Sequence, residues 1–488
     1  MANTKKELIK IINQLIQELK SGAIVPSKTK PKYVVNLFCV PKKDSATGLM
    51  TKLRVVRHGS FATATTTSIN DWIDQQKCKM PTLPNLKDYV KLLINCNYMA
   101  LRDLSDAFRQ IGLSNADVGY LGYSLFGLYF LDKKQPYGIA SAAANCQSFA
   151  QIVIWIMNNH KLPQHLRRNI LVHIDDFLLA AKTKKETIFL QQAFDNLCKE
   201  LHVDISHLKD VNATQKATLY GFTFDLKKKT VGIPNEKLKR LRNFIKLTIK
   251  IGVITGRALE TLTGQIMHWS QLYKPAKSLC YNLVSFIHKK IRARKSYRTE
   301  CFRLPSCVIQ DLKFWQKYVN LLKSVSMESI IREPSIQIVG ASDACNSGGG
   351  FCVKDTWGHY KFKDCHKQIH IDEKEAHAVI MLMENLKHIL TGKKLVLYVD
   401  NAVLFHAMSR HWAGERMMPC IYEICHIMMK YKIQIWFEWI PTDCNKLADA
   451  LSRYDFDSFW KWVQIFRLQM RPFALNLKYV KNYNFNHI

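Results

Sequence analysis

The strongest constraint on the fold is a pair of adjacent aspartates between two short apolar runs. Residues 171–179 read LVHIDDFLL, so Asp175 and Asp176 separate two stretches with the length and composition of buried strands. This pattern predicts a β-hairpin with both acids at its tip. Adjacent carboxylates repel each other and are costly to remove from water, so a divalent cation is their natural compensation. The sequence therefore predicts a hairpin that presents a metal site.

A third acid, Asp103, follows a strand-like run and begins a turn toward a helix. Between Met99 and Leu226, short apolar runs alternate with longer helical patterns, which indicates a mixed α/β domain. Carboxylate oxygens suit Mg²⁺, and two such ions roughly 3.5 to 4 Å apart activate a 3′-hydroxyl and stabilise the leaving pyrophosphate. In that arrangement we expect Asp103 and Asp175 to bridge the two ions.

The last third of the chain carries four more acids at the borders of predicted elements. Asp343 follows a strand, Glu375 lies in a helix, Asp400 ends a strand and Asp449 lies near the start of a helix. Taken singly, each has the ordinary interpretation of a solvated charge or a helix cap. Four acids that converge from separate elements would hold two Mg²⁺ ions and activate water for attack on a phosphodiester, with no protein nucleophile.

The charge of the chain favours a polyanionic partner. Its 488 residues include 71 Lys plus Arg against 39 Asp plus Glu, a net charge of +32. A merely basic soluble protein is the plainer alternative, but an excess of this size suggests binding through phosphates. No apolar run is long enough to span a bilayer, and the scattered cysteines lack zinc-site spacing. We therefore expect an intracellular protein with reduced thiols and no membrane partner.

These patterns predict an α/β multidomain protein. The stretch from Lys28 to Arg57 indicates a basic hairpin, and the glycines at 348–350 indicate a turn before a strand. A predicted helical region contains a candidate nucleic-acid-binding cluster, which comprises Lys289, Lys290, Arg292 and Arg294. The expected segments are an amphipathic helix over 1–24, an α/β domain over 25–230, a helical region over 231–330, a second α/β domain over 334–456 and a tail over 457–488.

The order of five motifs in the first half resembles that of reverse transcriptases. The motifs are KKD at 42–44 with Arg54, DLSDAF at 103–108, PYG at 136–138 with AANCQ at 143–147, HIDD at 173–176 and LYGF at 219–222. They are similar to the triphosphate-holding fingers residues, the two palm motifs, the Y-x-D-D box and the primer grip of that family. The resemblance implies a right-hand polymerase with fingers and palm over 25–230 and a helical thumb over 231–330.

The resemblance also implies roles for individual residues. Asp103, Asp175 and Asp176 would form the metal triad, and Phe108 would lie beneath the sugar and reject a 2′-hydroxyl by its bulk. The implied nucleotide-binding set is Lys42, Lys43, Arg54, Asp106, Phe108, Tyr137 and Gly138. Two residues depart from the family pattern: His173 stands where Tyr or Phe is usual, and His58 stands where an acid commonly follows the fingers arginine.

The later acids resemble the ordered D, E, D, D motifs of retroelement ribonuclease H. The matching strings are SDA at 342–344, EAHA at 375–378, VDN at 399–401 and NKLADALSR at 445–453. The resemblance implies that Asp343, Glu375, Asp400 and Asp449 bind metal and are catalytic, in a domain over 334–456. The residues of these motifs most resemble those of DIRS-like, tyrosine-recombinase retrotransposons, with Ty3-type elements as the next resemblance.

Together the resemblances imply an RNA-directed DNA polymerase with an associated ribonuclease H. Its partners would be an RNA template, a DNA primer, RNA–DNA hybrid and deoxynucleoside triphosphates, with two Mg²⁺ per active site and Mn²⁺ as an alternative ion. A different class is a domesticated, non-catalytic nucleic-acid-binding protein, which would not need the seven acids. An RNA-dependent RNA polymerase shares the palm, but Phe108 and the attached nuclease disfavour it. The sequence leaves the oligomeric state open.

Overall fold

The computed structural model describes residues 5–43, 50–62, 67–74, 78–207, 210–293, 296–331, 338–363 and 368–472. The chain forms two compact units, Met1–Thr230 and Val231–Ile488. Each unit contains both helices and sheets, so the predicted α/β multidomain class is confirmed.

The described strands and α-helices of the first unit follow the alternation expected from its apolar runs. The strands are β1 (Ile24–Ser27), β2 (Tyr33–Val34), β3 (Leu37–Lys43), β4 (Met50–Arg57), β5 (Tyr98–Asp103), β6 (Leu121–Leu125), β7 (Leu128–Asp132), β8 (Ile170–His173), β9 (Asp176–Ala181), β10 (Val211–Thr214), β11 (Lys216–Leu219) and β12 (Phe222–Asp225). The helices are α1 (Lys5–Lys20), α2 (Ile69–Trp72), α3 (Leu86–Leu93), α4 (Asn115–Val118), α5 (Ala142–Ile156) and α6 (Lys184–Glu200).

The central sheet of the first unit has the strand order β10-β5-β9-β8 and is antiparallel throughout. Its inner strand β9 is apolar and buried from Phe177 to Ala181, and its residues Phe177, Leu179 and Ala181 share a core with helices α5 and α6. Thr183 and Glu186 form a capping box that starts α6 directly after the strand. The predicted hairpin over 171–179 is β8 and β9, and its tip lies at the end of this sheet.

The first unit also contains a second sheet, with the order β1-β7-β6-β2, and the long hairpin β3–β4. Helix α1 buries Ile11 and Leu15 against these strands, as its helical periodicity predicts. The register of the hairpin places Val40 opposite Arg54 and Lys42 opposite Lys52. The hairpin expected from Lys28 to Arg57 is therefore present from Leu37 to Arg57 in its described residues, whereas Tyr33 and Val34 pair with β6.

A buried network of four charges joins α1 to the rest of the first unit. Arg57 is fully buried and pairs with Glu18 at 2.6 Å and with Asp132 at 2.9 Å. Arg109 pairs with the same two acids, at 3.0 Å and 2.7 Å. Two cations and two anions thus balance, and every member bonds to two partners, which is the condition under which burial of charge is tolerated.

The second unit begins within β13 and contains the following described elements. The strands are β13 (Thr230–Gly232), β14 (Val253–Thr255), β15 (Cys301–Arg303), β16 (Val325–Ser326), β17 (Ile338–Ala344), β18 (Gly348–Val353), β19 (Thr356–Lys361), β20 (Lys394–Val399), β21 (Gln434–Trp439) and β22 (Arg471–Pro472). The helices are α7 (Asn235–Ile251), α8 (Gly256–Trp269), α9 (Tyr281–Phe286), α10 (Ser306–Tyr318), α11 (Glu328–Ile331), α12 (Ile371–Leu390), α13 (Ala402–Arg410), α14 (Met418–Tyr431), α15 (Lys446–Ser452) and α16 (Phe456–Ile465).

A six-stranded sheet with the order β21-β20-β17-β18-β19-β22 organises the later part of this unit. Strands β21, β20 and β17 are parallel, and β18 and β19 add to β17 as an antiparallel meander. Helix α12 is buried along most of its length, which includes the apolar stretch 378–383 and the charged residues of its first turns. The earlier helices α7 to α10 supply the helical region expected before the sheet.

The prediction of a turn at 348–350 is wrong, because these glycines begin strand β18. A side chain at Gly350 would place Cβ 2.5 Å from Leu451 Cβ and 2.6 Å from Ser452 N. The glycine therefore allows helix α15 to approach the strand backbone closely. Local composition indicated a turn, whereas the tertiary packing of α15 determines the need for glycine.

Two further sequence expectations concern the described residues. None of the described helices combines the length and apolarity that crossing a bilayer requires. The cysteines within the described ranges are free thiols.

Candidate active sites

The first candidate site lies where strand β5 ends and strand β9 begins. Asp103 is opposite Asp176 in the antiparallel register, and Asp175 lies in the turn before β9. One carboxylate oxygen from each of the three acids lies within 4.8 Å of the others. Asp103 is buried, Asp175 is half-buried and Asp176 is exposed. Three converging carboxylates with this graded exposure form a donor set that suits a hard divalent cation.

The turn that carries Asp175 is held by Gln147 of helix α5. Ile174 and Asp175 alone connect β8 to β9, and Ile174 has a φ of 63°, which a β-branched residue rarely adopts. Gln147 Oε1 accepts a hydrogen bond from Ile174 N–H at 2.6 Å, and Gln147 Nε2 donates to Val172 O at 3.4 Å. This buried amide fixes both sides of the turn. Gln147 lies in a predicted motif, but no local pattern indicates its role.

The implied nucleotide-binding residues of the palm lie close together, with Asp106 and Phe108 after β5 and Tyr137 and Gly138 after β7. Tyr137 Oη donates to Asp106 Oδ1 at 3.4 Å, and the rings of Phe108 and Tyr137 are 5.0 Å apart. Gly138 has a φ of 100°, and a Cβ there would lie 1.9 Å from Arg57 O. Glycine is therefore required for the loop to lie against the end of β4.

The three fingers residues lie on the β3–β4 hairpin, with Lys42 and Lys43 on β3 and Arg54 on β4. Asp44, which completes their motif, is outside the described residues. The two departures from the family pattern are both packed against aromatic rings. His173 lies 5.0 Å from Tyr220, and burial lowers the pKa of its imidazole. His58 lies against Phe38 and Phe61.

The second candidate site is a cavity of about 970 Å³ in the second unit. Asp343 at the end of β17, Glu375 on α12 and Asp400 after β20 each place one carboxylate oxygen within 4.8 Å of the others. Asp449 of α15 lines the same cavity, together with Arg453, which binds Asp449 Oδ1 at 2.7 Å. The structure thus brings all four predicted acids to one cavity.

The electrostatics of this cavity fit a cation. Burial and the neighbouring carboxylates raise the pKa of Asp343 to about 7 and that of Glu375 to about 10. Asp343 Oδ2 and Glu375 Oε2 are buried and have no hydrogen-bond partner among the described residues. A bound divalent cation would satisfy these oxygens and displace their protons.

Asn445 fixes the start of α15 beside the first of these acids. Its buried side chain donates from Nδ2 to Ser342 O at 3.1 Å, and Ser342 directly precedes Asp343. With the close approach at Gly350, this bond brings Asp449 to the cavity. Asn445 lies in the recognised motif string, yet its function depends on a contact that is distant in sequence.

The metal-free site should destabilise the second unit at neutral and alkaline pH. The folded-state pKa of Asp343 is raised, so the folded chain binds more protons than the unfolded chain, and stability falls as pH rises from about 4 to about 7. We expect Asp343→Asn to raise the free energy of unfolding by up to ~4 kcal/mol at pH 8 in EDTA, with little difference at pH 4.

Chemical denaturation at both pH values measures this effect. Asp457→Asn, a change of an exposed acid in the same unit, is the matched control and should change neither value. A native-like stability of Asp343→Asn at pH 8 would contradict the inferred electrostatic strain.

The four predicted nucleic-acid-binding residues follow α9, and two of them form ion pairs within the protein. Lys289 and Arg292 each form an ion pair with a glutamate of the same unit. Lys290 is exposed, and Arg294 lies outside the described residues. Two of the charges assigned to nucleic acid are therefore shared with the protein.

Solved structures with a similar fold belong to an enzyme that is named as a protease–reverse transcriptase. The foamy viral protease–reverse transcriptase dRH in complex with ds DNA gives a TM-score of 0.52 at 15% identity, over 91% of this chain and 71% of that chain. The same enzyme in complex with RNA/DNA hybrid gives 0.50 at 16% identity, over 91% and 54%. The fold is thus an α/β multidomain architecture similar to that of the foamy viral enzyme.

Sequence matches relate the chain to retroelements. Residues 341–454 match a family model described as reverse transcriptase-like. The chain is 21% and 22% identical to the retrovirus-related Pol polyproteins from transposons 297 and opus of Drosophila melanogaster. These alignments cover 91% and 92% of this chain but 38% and 42% of the relatives, so the chain spans about two fifths of their length. The chain is therefore similar, at low identity, to Pol polyproteins of retroelements and, over residues 341–454, to a reverse transcriptase-like family.

Proposed function

We propose that the chain is an RNA-directed DNA polymerase with an associated ribonuclease H activity. The observation that carries this proposal is the presence of two separate carboxylate triads, one in each unit, with ligand oxygens within 4.8 Å of one another. A scaffold that only binds nucleic acid needs neither triad, so their retention disfavours the domesticated, non-catalytic alternative.

In the polymerase site, Asp103, Asp175 and Asp176 would hold two Mg²⁺ ions. When bound, such ions activate a primer 3′-hydroxyl and stabilise the leaving pyrophosphate. Asp103 and Asp175 orient the ligand oxygens from a rigid strand end and a turn fixed by Gln147. The fingers residues Lys42, Lys43 and Arg54 would neutralise the triphosphate, and Asp106 with Tyr137 and Gly138 would line the nucleotide position.

In the nuclease site, Asp343, Glu375, Asp400 and Asp449 would hold two Mg²⁺ ions, with Mn²⁺ as an alternative. Bound metal supplies an activated water and charge stabilisation for phosphodiester hydrolysis. The chain itself orients the four carboxylates from β17, α12, the end of β20 and α15, and it shields Asp343 and Glu375 from water by burial. Arg453, paired to Asp449, lies at the cavity where a scissile phosphate would enter.

The substrates that we propose are an RNA template, a DNA primer, deoxynucleoside triphosphates and the RNA–DNA hybrid that polymerisation produces. The foamy viral structures hold ds DNA and RNA/DNA hybrid, and the net charge of +32 favours contact with phosphates. Lys290 and its basic neighbours would contact the backbone of the hybrid. Within the retroelements we propose a DIRS-like element, with the Ty3 type as the alternative.

Primer extension tests the proposal directly. The chain is incubated with poly(rA)·oligo(dT), dTTP and Mg²⁺, while the cleavage of a labelled RNA strand in a hybrid is followed in parallel. We expect extension and cleavage with Mg²⁺ and neither in EDTA. Binding of the hybrid without extension or cleavage under any metal or salt condition would instead support the domesticated binding protein.

Phe108 is the proposed gate against ribonucleotides. The ring packs beside Tyr137 in the loop that follows β5, where its removal opens space under the proposed sugar position. We expect Phe108→Ala to raise the efficiency of ribonucleotide incorporation relative to deoxynucleotide incorporation by about tenfold to a hundredfold, as a few kcal/mol of steric exclusion is lost. Phe149→Ala is a control for a general loss of aromatic packing, and an unchanged ratio in Phe108→Ala would remove the gate assignment.

Gln147 should control the polymerase site through the turn at Asp175. Gln147→Leu removes the acceptor for Ile174 N–H, which costs about 1–3 kcal/mol. We expect kcat for extension to fall about tenfold to a hundredfold, with RNA cleavage unchanged. Gln151→Leu, on the exposed face of the same helix, is the matched control. Equal kcat in the native chain and Gln147→Leu would mean that the turn does not depend on this amide.

A further inference from the structure

A hydrogen bond joins the two elements that carry Glu375 and Asp400. Asp372 lies in the first turn of α12, three residues before Glu375, and Asn401 directly follows Asp400. Asn401 Nδ2 donates to Asp372 Oδ1 at 3.1 Å. Asn401 Oδ1 also accepts from Leu404 N–H at 2.8 Å and so caps α13. One side chain therefore fixes the end of β20, the start of α13 and the start of α12.

The other oxygen of Asp372 is held from a different part of the unit. Arg416, in the loop before α14, donates from Nη2 to Asp372 Oδ2 at 2.9 Å, and its Nε lies 3.3 Å from Glu373 Oε1. His370 Nδ1 lies 3.1 Å from Asp372 Oδ2. Asp372 is buried, at 6% exposure, and both of its carboxylate oxygens accept hydrogen bonds. A buried carboxylate with a full set of partners holds one geometry.

We propose that Asp372 and Asn401 form a clamp that positions Glu375 and Asp400 for metal binding, with Arg416 as the counter-charge that keeps Asp372 in place. Asp372 is a positioning residue, since it lies outside the triad of ligand oxygens. Groups behind a metal ligand orient it, and their removal typically weakens metal affinity about tenfold to a hundredfold. The inference rests on the proposed nuclease function of the second unit.

The clamp has a geometric reason. Glu375 approaches the site from a helix and Asp400 from a strand end, and these two elements are not paired to each other by backbone hydrogen bonds of a sheet. The carboxylates of Asp343, Glu375 and Asp400 each place one oxygen within 4.8 Å of the others, so their like charges repel. A bond between side chains adjacent to the two acids opposes this repulsion and holds the ligand oxygens together before a cation arrives.

Metal affinity of the second unit tests the clamp. All variants are made in the full chain with Asp103→Asn and Asp175→Asn, so that Mn²⁺ binding by calorimetry reports the nuclease site. Asp372→Ala removes the acceptor, whereas Asn401→Ser keeps an oxygen that caps α13 but cannot reach Asp372. We expect each change to weaken Mn²⁺ binding about tenfold or more, and the double variant to be no weaker than the single variants, since one bond is shared.

Glu373→Gln is the matched control, because it alters the other acid bound to Arg416 and leaves the clamp intact. It should keep native Mn²⁺ affinity. If Asp372→Ala and Asn401→Ser lower the melting temperature but bind Mn²⁺ like the native site, the clamp is only structural and the proposal is overturned. If the parent with an intact nuclease site binds no Mn²⁺ and cleaves no RNA, the proposed nuclease function fails first, which distinguishes the two failures.

Discussion

Asp175→Asn is expected to lower primer extension about a thousandfold and to leave RNA cleavage at the native rate. A bound metal ion contributes several kcal/mol of charge stabilisation in the transition state, and about 4 kcal/mol corresponds to three orders of magnitude in rate. Asparagine keeps the size and one oxygen of the side chain, so the turn held by Gln147 is preserved. Loss of activity would therefore reflect loss of charge and not loss of structure.

The reciprocal variant makes the comparison sharp. Asp400→Asn should abolish RNA cleavage and leave extension unchanged, because Asp400 belongs to the separate triad of the second unit. Extension is measured as single-turnover incorporation of dTTP, and cleavage as the appearance of labelled RNA fragments from the same preparation. If Asp175→Asn lowers both activities equally, a shared folding defect or a single site would explain the data better than two independent centres.

Five of the seven acids were predictable from sequence because they lie at the ends of short apolar runs. Asp103, Asp175 and Asp176 stand where strands must turn, and a strand register brings two of them opposite each other. The sequence also predicts that Asp343 and Asp400 end strands, which β17 and β20 place next to each other as parallel neighbours. Acid chemistry combined with strand ends thus accounts for the first triad and for two of the four acids of the second site, whereas Glu375 and Asp449 lie on helices.

The supporting residues were not predictable in the same way. Gln147, Asn445 and Asp372 act through hydrogen bonds to residues that are 27, 103 and 29 positions away. No local pattern indicates such a partner, because an amide or a carboxylate at these positions has the features of any other polar residue. The prediction of a turn at 348–350 was wrong for the same reason. Consecutive glycines locally indicate a turn, but Gly350 lies in strand β18, where the close approach of α15 requires glycine.

The four-charge network was also absent from the sequence interpretation, because its members lie on four separate elements. Arg57 belongs to none of the predicted motifs. It is fully buried, and Glu18 and Asp132 accept its hydrogen bonds. Burial alone lowers the pKa of the guanidinium, but these two acids raise it above its ordinary value. The same network holds Arg109, which follows Phe108 directly, so it also supports the proposed nucleotide pocket.

Arg57→Met is expected to destabilise the first unit by about 3–5 kcal/mol, since it leaves two buried acids with a single cation. Hydrogen exchange of the backbone amides in β5 and β9 reports the stability of this unit within the full chain. Lys199→Met, which removes an exposed cation from α6, is the control and should change exchange little.

A second substitution separates charge imbalance from lost packing. Asp132→Leu added to Arg57→Met leaves Glu18 paired with Arg109, so one anion and one cation remain in the cluster. If uncompensated charge causes the loss, the double variant should recover part of the stability that Arg57→Met loses, because a balanced pair is less costly than an unpaired buried carboxylate. If the double variant is less stable than the single variant by the full cost of losing Asp132, the network contributes through its shape and hydrogen bonds, and the balance of charge is secondary.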